Sequence, residues 1–177
     1  MKIAGMLLIS LAFIGSLTAT LNYFYYIKSG SESYLKRANR LHQLIFAILL
    51  IVGILLYYSI LVHDFSLNYV ANYSSKNDPW YYQFAAFWAG QEGTFYLWTL
   101  YTTIFGLILI RRNDKFLPYV MIMLHISIFS ILLILLKQSP FRPIDPAILA
   151  NLTDGRGLNP LLKNYWMIIH PPTLFLG

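Results

Sequence analysis

The sequence predicts an all-α polytopic membrane protein with four full transmembrane helices, the start of a fifth, and aromatic-rich extracytoplasmic segments. Three observations carry this. Of 177 residues, 58% are hydrophobic and only 11% charged, where a soluble domain carries about 25% charged residues. Four apolar runs each approach the roughly 20 residues that cross a hydrocarbon core. The Lys and Arg residues gather in short stretches between those runs, which is a topology signal.

The first span is expected over residues 3–27. No small-residue cleavage site follows a short apolar core, so a retained helix fits better than a cleaved signal peptide. The second span covers 41–62 with no charge inside. The third covers 93–110. The fourth covers 116–136, broken only by Pro118 near its start and His125 near its middle. A fifth apolar run begins near Tyr165 and reaches Gly177, too short to cross. Residues 1–177 thus form one membrane domain with no soluble domain. The chain has no cysteine, so disulfides, iron–sulfur clusters and thiolate chemistry are excluded. The net charge of +6 belongs to the loops of a membrane protein. The partner it implies is membrane lipid, not nucleic acid.

Loop charges set the orientation. Lys28, Lys36, Arg37 and Arg40 follow the first span, and Arg111, Arg112 and Lys115 follow the third. Short loops dense in Lys and Arg stay in the cytoplasm. The N-terminus and the two long loops are therefore expected outside.

The first outer segment reads DFSLNYVANYSSKNDPWYYQFAAFWAGQEGTFYLW from Asp64 to Trp98. Its aromatics suit an interfacial belt. Phe84, Phe87, Trp88 and Gln91 also fall at i, i+3, i+4 and i+7, one face of a helix that could cover a flat apolar ligand. Glu92 lies beside it, either as a functional ionisable group near the membrane or as a headgroup-zone residue.

The second outer segment, SPFRPIDPAILANLTDGRGLNPLLKNYWMIIHPPTLFLG, holds prolines, glycines and an Asp-Gly turn signal, and reads as a fixed loop. It leads into His170-Pro171-Pro172. A residue before proline is pushed out of the α region, and proline suits the first turn of a helix. His170 is therefore expected just before the fifth helix, at the outer face. Neutral imidazole is a good haem ligand, although a lone His at a helix start is more often a cap or an interfacial residue. His42 and His63 read as interfacial residues at the two ends of the second span. His125 reads as a packed, hydrogen-bonded mid-membrane residue, with haem ligation the minority option.

The runs DFSLNYVANYSS, FWAGQEGTFYLW and DGRGLNPLLKNYWMIIHPPTLFLG resemble the N-terminal half of the CcmF family, the cytochrome c haem lyase subunit of bacterial and plant-mitochondrial cytochrome c maturation. The resemblance covers the chain from the second span onward. It implies cytochrome c-type biogenesis, with haem b as a transient cargo presented for covalent attachment at the outer face of the bacterial cytoplasmic membrane, or of the mitochondrial inner membrane. By resemblance His170 is an external axial ligand of the haem iron. Trp88, Glu92, Trp98 and Arg156 would be further outer-face contacts to haem or a partner. The implied partners are the remaining half of the haem lyase, the haem chaperone CcmE, a CcmH-type thiol-handling subunit and apocytochrome c. The family's tryptophan-rich WWD segment, its second external ligand and its b-haem ligands have no counterpart here. The chain is thus expected to be a fragment, a truncated product or part of a split protein, positioning haem rather than reacting with it. A non-catalytic scaffold of the maturation complex is the first alternative. A transporter subunit is the second, and the nearly uncharged spans count against it.

Overall fold

The computed structural model describes residues 1–112 and 114–176. Its elements are α1 (Lys2–Ser29), α2 (Glu32–Leu61), α3 (Asn68–Tyr73), α4 (Trp80–Ala89), α5 (Gln91–Arg112), α6 (Leu117–Lys137), α7 (Pro146–Leu149), a 3-10 turn (Pro160–Leu162) and α8 (Tyr165–Leu174). Four of these, α1, α2, α5 and α6, are long and apolar enough to cross a membrane. Their outward faces are apolar too: Ile3, Leu7, Leu11 and Ile14 of α1 are all exposed. A helix that is apolar all round needs lipid as its solvent.

The four spans close into a bundle. α1 packs on α2 and α6, and α5 packs on the same two helices from the other side. The interior carries Ile9, Ile45, Leu49, Leu56, Ile128 and Leu132.

The second helix starts earlier than expected, at Glu32 rather than residue 41. The connection after α1 needs only Gly30 and Ser31. Gly30 adopts the left-handed conformation, φ 67°, and its N–H donates to Tyr26 O at 2.8 Å, a closure that glycine makes without strain. Glu32 then favours the positive end of the new helix. Lys36, Arg37 and Arg40 consequently lie on an exposed helical turn and not in a loop. The third and fourth spans match expectation to within two residues.

At the opposite end of the bundle the two long segments are zipped together. The Asn68 N–H donates to Arg142 O at 2.9 Å and the Ile144 N–H to Ser66 O at 3.1 Å. The Arg156 N–H donates to Ala71 O at 2.8 Å. Asp154 accepts from the Ser75 hydroxyl at 2.8 Å and from the Lys76 N–H at 3.0 Å. Lys163 Nζ meets the buried Asp78 carboxylate at 2.5 Å. The Pro-Gly-rich segment is a loop as far as Asn164, apart from α7 and the 3-10 turn, and its last stretch is helical as α8.

Candidate functional site

Tyr69 is the joint on which the site is built. Its hydroxyl bonds to the carbonyls of Ala86 at 2.9 Å and Phe87 at 3.1 Å, and accepts from the Gly90 N–H at 3.2 Å. These are backbone groups that the end of α4 would otherwise leave unpaired. Burial pushes the Tyr69 phenol well above its usual range, so it stays a neutral partner. Gly90 is extended, φ −101° and ψ 165°, and α5 starts at the next residue. A Cβ on Gly93 would run into the Phe87 carbonyl and the Tyr69 hydroxyl, so only glycine admits this close approach.

The turn corrects one expectation. Phe84, Phe87 and Trp88 do share a face of α4, with Phe84 edge-to-face on Trp88 at 4.7 Å. Gln91 is not on that face, because Gly90 ends α4 first and Gln91 opens α5 in a new direction.

His170 also needs correction. It does not precede the last helix but sits inside it. The Asn164 side chain accepts from the Trp166 N–H at 3.0 Å and starts α8 at Tyr165, so Pro171 and Pro172 lie within the helix. The cap and the apolar run behind it outweigh the pre-proline bias, which is a preference rather than a prohibition. α8 lies against α4 and the N-terminal half of α5. The Phe175 ring stacks on Trp98 of α5, 5.9 Å between centroids with the planes 28° apart.

This packing leaves two open pockets beside α8. The first, about 220 Å³, is lined by Ala85, Trp88, Thr94, Leu158, His170 and Phe175 among others. The second, about 340 Å³, lies between Phe84, Phe87, Leu97, Ile169 and Pro172. Trp88 borders both. It is 7% exposed, and its indole Nε1 has no hydrogen-bond partner among the described residues.

The structure therefore brings His170 and Trp88 to one cavity. Trp98 joins at one remove, through Phe175. Glu92, in the first turn of α5, lines neither cavity; with burial it raises the Tyr73 phenol above its ordinary range. Arg156 is an exposed loop residue that lines neither. The sequence reading did not single out Tyr69, Leu158 or Phe175 for this site. Only the helical spacing of Phe84, Phe87 and Trp88 gave a local signal for it.

The remaining histidines divide. His63 ends the second span in the left-handed region, φ 52°, with Nδ1 3.3 Å from the Ser74 hydroxyl. His125 is packed and hydrogen-bonded as expected, but its partner is His42, which is fully buried in the bundle and not interfacial. The reason is the early start of α2, which carries His42 two to three turns into the helix. Among the described residues no group of three or more His, Asp or Glu side chains could hold a metal ion.

Fold and site together define a polytopic helical membrane protein with a small apolar cleft, containing one imidazole, at one membrane face. Comparison with known proteins gives the family. The family model for cytochrome C assembly proteins matches residues 88–177, and the chain belongs to that family. The cytochrome c-type biogenesis protein CcmF of Pseudomonas fluorescens is 39% identical over 140 residues, covering 75% of this chain and 20% of the relative. The probable cytochrome c-type biogenesis protein NrfE of Escherichia coli (strain K12) is 36% identical over 138 residues, covering 75% of this chain and 24% of its own length. A solved structure of the cytochrome c heme lyase CcmF superposes with a TM-score of 0.81 at 25% identity, over 99% of this chain and 27% of that one. The chain is thus of CcmF type, a multi-pass inner-membrane protein. It spans about a fifth of the length of the first of these relatives.

Proposed function

We propose that this chain forms the N-terminal part of a CcmF-like membrane domain and helps to present haem b for covalent attachment to apocytochrome c. The site is the α4–α8 cleft, at the outer face of the bacterial cytoplasmic membrane with the N-terminus outside. A mitochondrial inner membrane would use the same face. One observation carries the reading: the two motif-bearing segments, 84–98 and 158–175, are far apart in sequence and meet at one cavity with His170 on its wall.

Haem is here a cargo, and the residues fit part of it. His170 offers the imidazole, and Trp88, Leu158 and Phe175 offer apolar surface. At about 220 Å³ the cavity is smaller than the roughly 300–1,000 Å³ of an ordinary ligand site. It suits an edge of a porphyrin, with the rest covered by other parts of the lyase. CcmE, a CcmH-type subunit and apocytochrome c are the expected partners, since attachment needs a haem donor and reduced thiols that this chain lacks.

The test is to fill the cavity. Ala89 lies on its wall. With the remaining regions of the lyase co-expressed, Ala89→Phe is expected to abolish covalent haem on a reporter cytochrome while membrane abundance is kept. Unchanged maturation with a filled cavity sinks the reading.

A further inference from the structure

At the end of the bundle away from α8, a shallow groove runs between α1 and α2. Its walls are Thr18 and Asn22 of α1 and Arg37, Arg40, Leu41 and Leu44 of α2. Thr18, Arg37, Arg40 and Leu44 are exposed, so the groove opens outward from the bundle. Its depth in the membrane follows from α2. Residues 41–61 contain no Lys, Arg, Asp or Glu, and at 1.5 Å per residue they make about 30 Å of helix, the thickness of the hydrocarbon core. Arg40 therefore stands at the edge of the hydrocarbon and Arg37 one turn beyond it, at headgroup depth. Leu41 and Leu44 carry the groove on into the apolar zone.

The charge of the groove is uncompensated. α1 contains no Asp or Glu, and α2 contains only Glu32. Glu32 is five residues from Arg37, off the three- or four-residue spacing that lets helical side chains meet. The one ion pair among the described residues, Lys163 with Asp78, lies at the other end of the bundle. Arg37 and Arg40 are themselves three residues apart, so both guanidiniums share one face of α2. The Thr18 hydroxyl and the Asn22 amide donate to carbonyls of their own helix, Ile14 O at 2.9 Å and Thr18 O at 2.8 Å. The guanidiniums are thus the groove's cationic donors.

We propose that this groove holds an anionic glycerophospholipid, with its phosphate between Arg37 and Arg40 and an acyl chain along Leu41 and Leu44. The planar guanidinium fork matches a phosphate in a way that ammonium does not. Basic pockets between transmembrane helices suit acidic head groups, and the apolar half of the groove lies where the tail of such a lipid lies. A free phosphate would use only the basic half. The inference is independent of the α4–α8 cleft and of which side of the membrane the N-terminus occupies.

The full chain in detergent micelles is titrated with phosphatidylglycerol and with phosphatidylcholine, and retained lipid is counted by native mass spectrometry. Phosphatidylcholine has the same phosphate and tails but carries its own cation. Wild type is expected to retain phosphatidylglycerol about tenfold better, the size of one hydrogen bond to a charged group. Arg37→Gln with Arg40→Gln should remove that preference, and Arg37→Lys with Arg40→Lys, which keeps the charge and loses the forks, should keep only part of it. Arg111→Gln with Arg112→Gln is the matched control. It removes two charges from the last turn of α5, outside the groove, and should behave as wild type. Glycerol 3-phosphate, which has no tails, should not displace the lipid. Phosphatidylglycerol with a photoactivatable acyl chain should label wild type around residues 18–22 and 41–44, a readout that needs no variant. No preference in wild type, an equal loss in both glutamine pairs, or labelling that avoids the groove overturns the site. Displacement by glycerol 3-phosphate overturns the lipid as its occupant.

Discussion

His42 of α2 and His125 of α6 meet edge to face inside the bundle, with ring centroids 5.0 Å apart and Nδ1 of the first 3.1 Å from Nε2 of the second. Their protons can be placed by elimination. The Thr103 carbonyl, 2.9 Å from His42 Nε2, can only accept, so His42 carries its proton on Nε2. Its Nδ1 is then an acceptor, and the neutral His125 must donate from Nε2. Nitrogen-15 spectra should show both rings as the Nε2–H tautomer, with His125 Nδ1 bare. Removing one ring strands the other, so His42→Leu and His125→Leu should each cost about 0.6–2 kcal/mol, the range for interhelical hydrogen bonds in membranes. The double substitution should cost less than the sum of the two. Additive losses, measured by unfolding in detergent micelles, would show that the pair is not coupled.

The same ring predicts the effect of a small substitution on α5. A Cβ on Gly106 would press against the His42 imidazole. Gly106→Ala should therefore be destabilising even though alanine is the better helix former. A more stable Gly106→Ala protein, in the same unfolding assay, would mean that the α2–α5 approach at this layer is looser than described.

Orientation can be tested with single cysteines, since the chain has none of its own. Asn77 is exposed at the tip of the first long segment, and Lys115 is exposed between α5 and α6. A membrane-impermeant thiol reagent should label Asn77→Cys in intact cells and Lys115→Cys only after lysis. The reverse pattern would move the whole α4–α8 cleft to the cytoplasmic side.

The zipper between the two long segments should respond to acid. The Lys76 N–H, helped by the Ser75 hydroxyl and the Gly155 N–H, holds the Asp154 carboxyl below its ordinary range, against the opposing effect of burial. A carboxylate depressed in the folded state stabilises it above the unfolded pKa, about 3.9, and that contribution is lost as pH falls through the folded value. Amide protection at Lys76 and Gly155 should therefore hold at neutral pH and fall in strong acid. Asp154→Ala should show low protection throughout; protection that survives in Asp154→Ala would rule out Asp154 as the clasp.

The spans were legible in the sequence because lipid imposes one rule on every position: about 20 apolar residues with charge at the ends. The motifs of the cleft were legible as resemblance. What the sequence hid was set by long-range contact. Tyr69 looks like any interfacial tyrosine until its hydroxyl is seen to cap α4. Gln91 keeps the helical spacing of Trp88, yet a glycine between them changes the direction of the chain. Glu92 and Arg156 carry the charges that usually mark a site, but the zipped loops leave both off the cleft wall. His42 looked interfacial because an apolar count starts the span one residue before it, whereas the helix starts ten residues earlier.

His170 carries the sharpest prediction. The ring lies on the cavity wall beside Trp88 and within α8, a helix tied to the rest by the Trp98–Phe175 stack and the Asn164 cap. None of those ties uses the imidazole, and His170 is exposed overall, so its removal should leave α8 in place. With the remaining regions of the lyase present, His170→Ala should reduce haem retention and cytochrome c maturation by an order of magnitude or more at unchanged abundance. His170→Gly with added imidazole should recover part of both, because the free ligand can enter the space that the side chain vacates. A structural role gives the opposite pattern: less protein in the membrane and no recovery with imidazole. His63→Asn is the matched control, since asparagine tolerates the positive φ at that position. His63 lies at the same membrane face but lines neither cavity beside α8, so maturation should stay near wild type. Full haem retention and maturation in the His170→Ala complex would remove His170 from the iron. The family assignment would survive that result, because it rests on the whole matched region and not on this side chain.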